Sequence, residues 1–306
     1  IMRVVWLVIL LELCWVSFIA HPALFKALLK DVRALRLIYF LLLFIMGIFL
    51  IQGRFFILLT HNGYELLLTL LVVALCWYVG VIFNNIEDRT IDEVSNVDRP
   101  LISSLISLQD YRNLGIALIV VNLWTALLVN FQTALFALLL MGSTFFYSLP
   151  PIRGKRIPVF SKIFASFNCL LLVMLGFIFA GGDLRFFPPI VSWYFLACVT
   201  LMYNFIDLKD RGGDARAGVM TLPVLLGMRK AQIVIGAICL VGYTLLGFVF
   251  VNKILIVLTF IVGIIQCYLI TRRDYQDRLV MAVHILIVTT VILFLVFSSS
   301  PVQQQL

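Results

Sequence analysis

The sequence predicts an all-α, polytopic membrane protein: a bundle of about nine transmembrane helices with one extra helix at its N-terminal end. Three observations carry this. Of 306 residues, 63% are hydrophobic and only 12% are charged, about half the charge of a soluble domain. Leu-rich apolar runs of bilayer-crossing length recur along the whole chain, and mean hydropathy is +1.12. The runs also lack the strict alternation of barrel strands, so helices are the spanning element.

Taken in order, the spans fall near 2–20, 35–52, 65–84, 113–130, 132–149, 164–181, 188–206, 231–250, 254–270 and 280–298. The first has only Arg3 ahead of its apolar stretch. It reads as a signal-anchor, an interfacial helix or a cleavable signal. The expected organisation is an extra membrane helix over 1–22, a transmembrane domain over 23–299 and a polar tail over 300–306. Of the 23 Lys and Arg, four (Arg3, Arg54, Arg185 and Lys253) fall on one side of this topology. The other 19 lie in the connecting segments 21–36, 85–112, 150–163, 207–230 and 271–279. The positive-inside rule places those segments in the cytoplasm, with the chain integral to the cell inner membrane.

The net charge of +8 is thus explained by topology, and nucleic acid is not an expected partner. The six cysteines all lie in apolar runs without a CxxC pair, and read as small hydrophobes. His21, His61 and His284 have no metal-ligand spacing; His284, in the last span, is expected to be a core residue bonded to a neighbouring helix.

Two acidic clusters stand out against this background. "NNIEDRTIDEVSNVDRP" (84–100) follows the third span, and "DLKDRGGD" (207–214) follows the seventh. Both fall on the cytoplasmic side, although the positive-inside rule takes no account of acidic residues. Asn84, Asp88 and Asp92 are spaced i, i+4, i+8, so they line one face if the third span continues as a helix. Asp207, Asp210 and Asp214 are spaced i, i+3, i+7, with Asp214 the least secure because Gly212 and Gly213 can break the helix. One acidic loop beside basic residues is commonly just solvated. Two of them, each with helical Asp spacing at the end of a long apolar span, point to a site. Facing rows of carboxylates repel, and a divalent cation relieves the repulsion. Carboxylate and amide oxygens suit Mg²⁺, which binds through a few carboxylates plus substrate phosphates.

Basic residues are placed to hold those phosphates. "FYSLPPIRGKRIPVFSK" has a Pro-Pro turn followed by Arg153, Lys155, Arg156 and Lys162, with Tyr147 and Ser148 just before it. Arg33 and Arg36 enter the second span, and Arg99 follows the first cluster. Most of these set topology. A subset can bind an anion, through Arg as a bidentate fork or Lys as a point charge, and Tyr147 and Ser148 can hydrogen-bond a phosphate oxygen. The pattern is a diphosphate site capping an apolar bundle, with room among the spans for a hydrophobic chain attached to the diphosphate.

These residues resemble the UbiA-type intramembrane prenyltransferases, whose first motif has the form NDxxDxxxD and whose second has the form DxxxDxxxD or a close variant. Here they read "NNIEDRTID" and "DLKDRGGD", with "RPL", "YS", "KRIP" and "GDARAGVMTLPVLLG" in the flanks, and the resemblance covers about residues 33–298. It implies a helical bundle around a central cavity, Mg²⁺ held by both motifs, and transfer of a polyprenyl group from its diphosphate to a lipophilic or aromatic acceptor. Carried over, Asn84, Asp88 and Asp92 bind Mg²⁺ from the first motif, and Asp207, Asp210 and Asp214 from the second. Asp88, Asp207 and Asp214 are the residues assigned to catalysis. Arg36, Arg99, Tyr147, Lys155 and Arg156 contact the diphosphate. One departure is that Asn85 stands where the motif has its first Asp. The family also includes phosphoribosyl transfer to a polyprenyl phosphate. A reading from another class is a transporter or non-catalytic binding protein of the same fold, but transport predicts acids deep within spans, whereas here they gather at span ends.

Overall fold

The computed structural model describes residues 2–51, 63–157, 160–216 and 218–297; Arg54 and the 300–306 tail lie outside the described residues. In chain order the helices are α1 (Met2–Ala20), α2 (Pro22–Asp31), α3 (Ala34–Phe49), α4 (Gly63–Glu87), α5 (Arg89–Ser95), α6 (Leu108–Val129), α7 (Phe131–Ser148) and α8 (Phe160–Phe179). Next come α9 (Pro189–Arg216), α10 (Leu222–Leu226), α11 (Met228–Val249), α12 (Lys253–Thr271) and α13 (Asp277–Phe297). Among the described residues no strand forms, and nine helices are long and apolar enough to cross a membrane; the broken pair α2–α3 supplies a tenth candidate. The chain is an integral membrane protein.

Two boundaries differ from the sequence reading. Segment 21–36, expected as a connection, contains α2. Pro22 opens it, where its fixed φ suits a first helical turn, and Ala27 and Asp31 bury one face of it. The second difference lies in α9. After a π-helical stretch at Tyr194–Val199 and a 3₁₀ turn at Tyr203–Ile206, it continues as α-helix from Asp207 to Arg216. Gly212 and Gly213 do not break it. Each Gly costs about 1 kcal/mol of helix propensity, and tertiary contacts outweigh that: Leu208 and Gly213 are buried, and Arg211 Nε donates to Pro223 O at 3.1 Å.

The chain divides into two compact units. The first comprises Ile1–Leu37 and Ile57–Arg153. Its end nearest the first acidic motif is packed by Ala27, Ile82, Leu101, Ile106 and Tyr111. Ser107 caps α6 by accepting from Asp110 N, and Asn130 caps α7 by accepting from Thr133 N at 2.7 Å. Helix α1 buries no residue, yet it is tethered. Arg3 pairs with Glu65 and donates from Nε to Leu128 O at 2.8 Å, and Trp6 Nε1 donates to Thr125 Oγ1 at 2.9 Å.

The second unit comprises Ile38–Phe56 and Gly154–Leu306. Here α3 and α8 cross with their backbones in contact at two glycines. A Cβ on Gly47 would lie 2.0 Å from Val173 O, and one on Gly176 would lie 1.9 Å from Phe44 O. Small residues at a crossing are how membrane helices gain close packing. His284 of α13 is buried, its Nδ1 bonded to the Tyr243 hydroxyl of α11, with the rings of Tyr39, Tyr203 and Phe205 around it. That is the core role expected from the sequence. All six cysteines are free, and three of them are buried.

Candidate functional site

The first motif sits in the first unit, where α4 runs out into α5. Asp88, at the junction, leaves ideal helical geometry (φ −94°, ψ 11°). The hydrogen-bond ladder nevertheless continues through it. Asp88 N donates to Asn84 O at 2.9 Å, Asp92 N to Asp88 O at 2.8 Å and Asn96 N to Asp92 O at 2.8 Å. These are i→i+4 bonds, so Asn84, Asp88 and Asp92 stay on one face, as their spacing predicts. Asn84 Oδ1 accepts from Ser148 Oγ at 3.3 Å, which brings the end of α7 to the motif. Arg153 secures the exit of α4 by donating from its guanidinium to Glu87 O at 2.8 Å.

Asp92 is buried and ion-paired with Arg99, and its other oxygen accepts from Asn96 Nδ2 at 3.1 Å. Burial pushes the Asp92 carboxyl up to about 6; Arg99 opposes the rise and the neighbouring Asp88 adds to it. Arg99, assigned to the diphosphate from the sequence, therefore also balances an acid of the motif. Arg36 and Tyr147 are half-buried in the same unit.

The second motif occupies the last helical segment of α9. Asp207, Asp210 and Asp214 share one face because the helix is unbroken. Asp207 is buried and pairs with Lys162 Nζ of α8 at 2.5 Å, each side chain only 11% exposed. Its Oδ2 is buried without a hydrogen-bond partner. Asp214 Oδ2 accepts from Thr221 Oγ1 at 3.4 Å, and the charges of Asp207, Asp210 and Lys162 all act on it. Lys155, half-buried, and Arg156 belong to the short 3₁₀ turn Gly154–Arg156.

This donor chemistry fits a hard divalent cation. The motifs offer carboxylate and amide oxygens, and the orphaned Asp207 Oδ2 lacks the partner that a buried carboxylate oxygen requires. Among the described residues no three of His, Cys, Asp and Glu form a ready-made metal cage. Mg²⁺ needs none, since it takes one or two carboxylates and completes its shell with waters and substrate phosphates.

Asp31 and Tyr111 were not singled out from the sequence, and Lys162 and Arg33 were named there only among the basic residues. Lys162 was counted as one of several loop charges, and its partner lies 45 residues away. Asp31, Arg33 and Tyr111 converge on Asn85: Asn85 Nδ2 donates to Asp31 Oδ1 and to the Tyr111 hydroxyl, both at 3.0 Å, and Arg33 donates to Asn85 Oδ1 at 2.6 Å. The departure of Asn85 from the motif was the only visible sign of this arrangement.

Residues 40–284 match the model of the UbiA prenyltransferase family, most of the chain. The chain belongs to the UbiA prenyltransferase family. Among named relatives, digeranylgeranylglyceryl phosphate synthase of Methanoculleus marisnigri is 30% identical over 172 residues, covering 55% of this chain and 59% of that protein. The 2-acylphloroglucinol 4-prenyltransferase of Humulus lupulus is 29% identical over 188 residues, covering 57% of this chain and 44% of that one. The match thus spans about half the length of these curated relatives. A solved UbiA homologue from Archaeoglobus fulgidus, bound to DMAPP and Mg²⁺, superposes with a TM-score of 0.69 at 20% identity, covering 88% of this chain and 97% of that one. That likeness establishes the shared helical fold.

Proposed function

We propose that this UbiA-family chain is a Mg²⁺-dependent prenyltransferase that moves a polyprenyl group from its diphosphate to a lipophilic or aromatic acceptor. The observation that carries this reading is the unbroken Asp207–Asp210–Asp214 face, with a buried carboxylate oxygen left unsatisfied at its head. Such an oxygen calls for a cation, and a Mg²⁺ bound by few carboxylates calls for phosphate. The relatives support the chemical class: one is named for digeranylgeranylglyceryl phosphate, the other for a 2-acylphloroglucinol. The flank "GDARAGVMTLPVLLG" resembles the quinone, chlorophyll and ether-lipid branches of the family more than the 4-hydroxybenzoate branch.

When bound, Mg²⁺ supplies charge neutralisation that makes diphosphate a competent leaving group. This chain's residues do the rest. Asn84 and Asp88 present ligand oxygens from the first motif, with Asp92 behind them held by Arg99. Asp207, Asp210 and Asp214 present them from the second, with Lys162 fixing the orientation of Asp207. Arg36, Tyr147, Ser148, Lys155 and Arg156 hold phosphate oxygens. The apolar helices exclude water from the reacting carbon, so the acceptor competes with hydrolysis on favourable terms. The positive-inside count supports placing both motifs on the cytoplasmic side of the cell membrane.

The test is turnover by the purified protein with labelled prenyl diphosphates of several chain lengths, each with a panel of quinone-precursor, isoprenoid-alcohol and glyceryl-phosphate acceptors. Prenylated product that requires Mg²⁺ is expected. Absence of product from every pair, alongside ion flux through liposomes carrying the protein, would replace this reading with the transport one.

A further inference from the structure

The junction of α2 and α3 is fixed to α4 at three points within the first unit. Asp31, the last residue of α2, accepts from Asn85 Nδ2 at 3.0 Å through one carboxylate oxygen and from the Tyr111 hydroxyl through the other. The carbonyl of Val32 accepts from Trp77 Nε1 at 3.2 Å. The Arg33 guanidinium donates to Asn85 Oδ1 at 2.6 Å. Arg33 also holds a backbone conformation rare for a residue with a side chain, φ +43°. Strain of that kind persists only where the surroundings over-determine it. Its carbonyl receives the amides of Arg36 at 2.8 Å and Leu37 at 3.3 Å, so Arg33 starts the helical turn that carries Arg36. Arg36 and Arg99 are both close enough to repel Arg33 electrostatically. Positive charge is thus concentrated beside the first motif.

We propose that Asn85 is a positioning residue: by donating to Asp31 and accepting from Arg33, it fixes the Arg33–Arg36 turn against the helix that carries Asn84 and Asp88. This rests on the prenyl-diphosphate reading above, and it assigns Asn85 a role distinct from metal binding. Asn85 is buried, and both its amide donors and its carbonyl are engaged. The amide is required because it faces an acid on one side and an arginine on the other. A carboxylate in its place loses both donors and stands against the Asp31 carboxylate at hydrogen-bond distance, where two like charges cannot both be accommodated. Asp31 thus supplies the carboxylate of this cluster from α2, and the motif helix supplies the amide. The arrangement is reversible in principle: an Asn at 31 can donate to an Asp at 85, which still accepts from Arg33.

The experiment compares wild type, Asn85→Asp, Asp31→Asn and the double variant Asp31→Asn/Asn85→Asp as full chains in detergent. It measures donor KM, kcat and thermal unfolding. Asn85→Asp is expected to raise the donor KM about tenfold with kcat changed less than about threefold, equivalent to about 1.4 kcal/mol of donor binding. It also lowers the unfolding temperature, and the double variant restores both. Unfolding that falls while KM stays at the wild-type value reduces Asn85 to a packing residue and overturns the proposal, as does a double variant no better than Asn85→Asp. A wild type that turns over no donor overturns the prenyl-transfer reading and the donor-positioning role together. It is told apart by thermal rescue in the double variant, which reports the swapped hydrogen bonds without any turnover.

Discussion

Replacing Lys162 by Met tests how the second motif is held. In the structure Lys162 Nζ lies 2.5 Å from Asp207 Oδ1, and both side chains are 11% exposed. Removing one partner of a buried pair leaves an uncompensated charge, at a cost of about 3 to 5 kcal/mol. Asp210 and Asp214 add repulsion on the same helical face. The residual solvent contact favours the lower end, so Lys162→Met is expected to lose about 3 kcal/mol in metal-free buffer. The double variant Lys162→Met/Asp207→Asn, with neither charge, recovers most of that loss. The assay is unfolding of the purified protein in mixed micelles with EDTA, followed by tryptophan fluorescence. Added Mg²⁺ should stabilise Lys162→Met, because bound cation replaces the missing ammonium; at about 100 times the dissociation constant, the linked gain is about 2.7 kcal/mol. Equal stability of Lys162→Met and wild type in EDTA would refute the reasoning.

Three further outcomes follow from the electrostatics and the packing. Burial raises the Asp92 carboxyl from 3.8 to about 6, so the stability it contributes is full below about pH 4 and lost as pH rises through about 6, amounting to about 3 kcal/mol. In EDTA, the pH–stability curve of Asp92→Asn should be flatter than that of wild type over this window, and parallel curves would contradict the assignment. Gly176→Ala, whose Cβ would sit 1.9 Å from Phe44 O, should cost at least about 1 to 3 kcal/mol. Gly142→Ala, with nothing within 4 Å, should be neutral or gain up to about 1 kcal/mol in the same unfolding assay.

What the sequence shows plainly is what periodicity and length encode. Apolar runs longer than a bilayer is thick mark the spans, because no soluble structure needs them. The Asp spacings survive as real helical faces because both motifs extend spans that are already helical. Where local propensity opposed packing, the sequence misled. Gly212 and Gly213 argued for a break, and burial of Leu208 and Gly213 held the helix together. Helix α2 was hidden because ten residues with two lysines and an aspartate look like a connection. Only Pro22 announced it. The Asp31–Asn85–Tyr111–Arg33 cluster draws on three separate elements, and Lys162–Asp207 joins two more. Such contacts depend on how helices pack, which residue spacing within one helix does not record.

The central claim, that both acidic motifs bind prenyl diphosphate through Mg²⁺, is tested most directly by calorimetric titration with a non-cleavable prenyl thiodiphosphate. Wild type should bind at least about tenfold more tightly with Mg²⁺ than with EDTA, and Asp88→Ala and Asp207→Ala should each abolish that difference while remaining folded. Affinity that is the same with and without Mg²⁺ in all three proteins would contradict the claim.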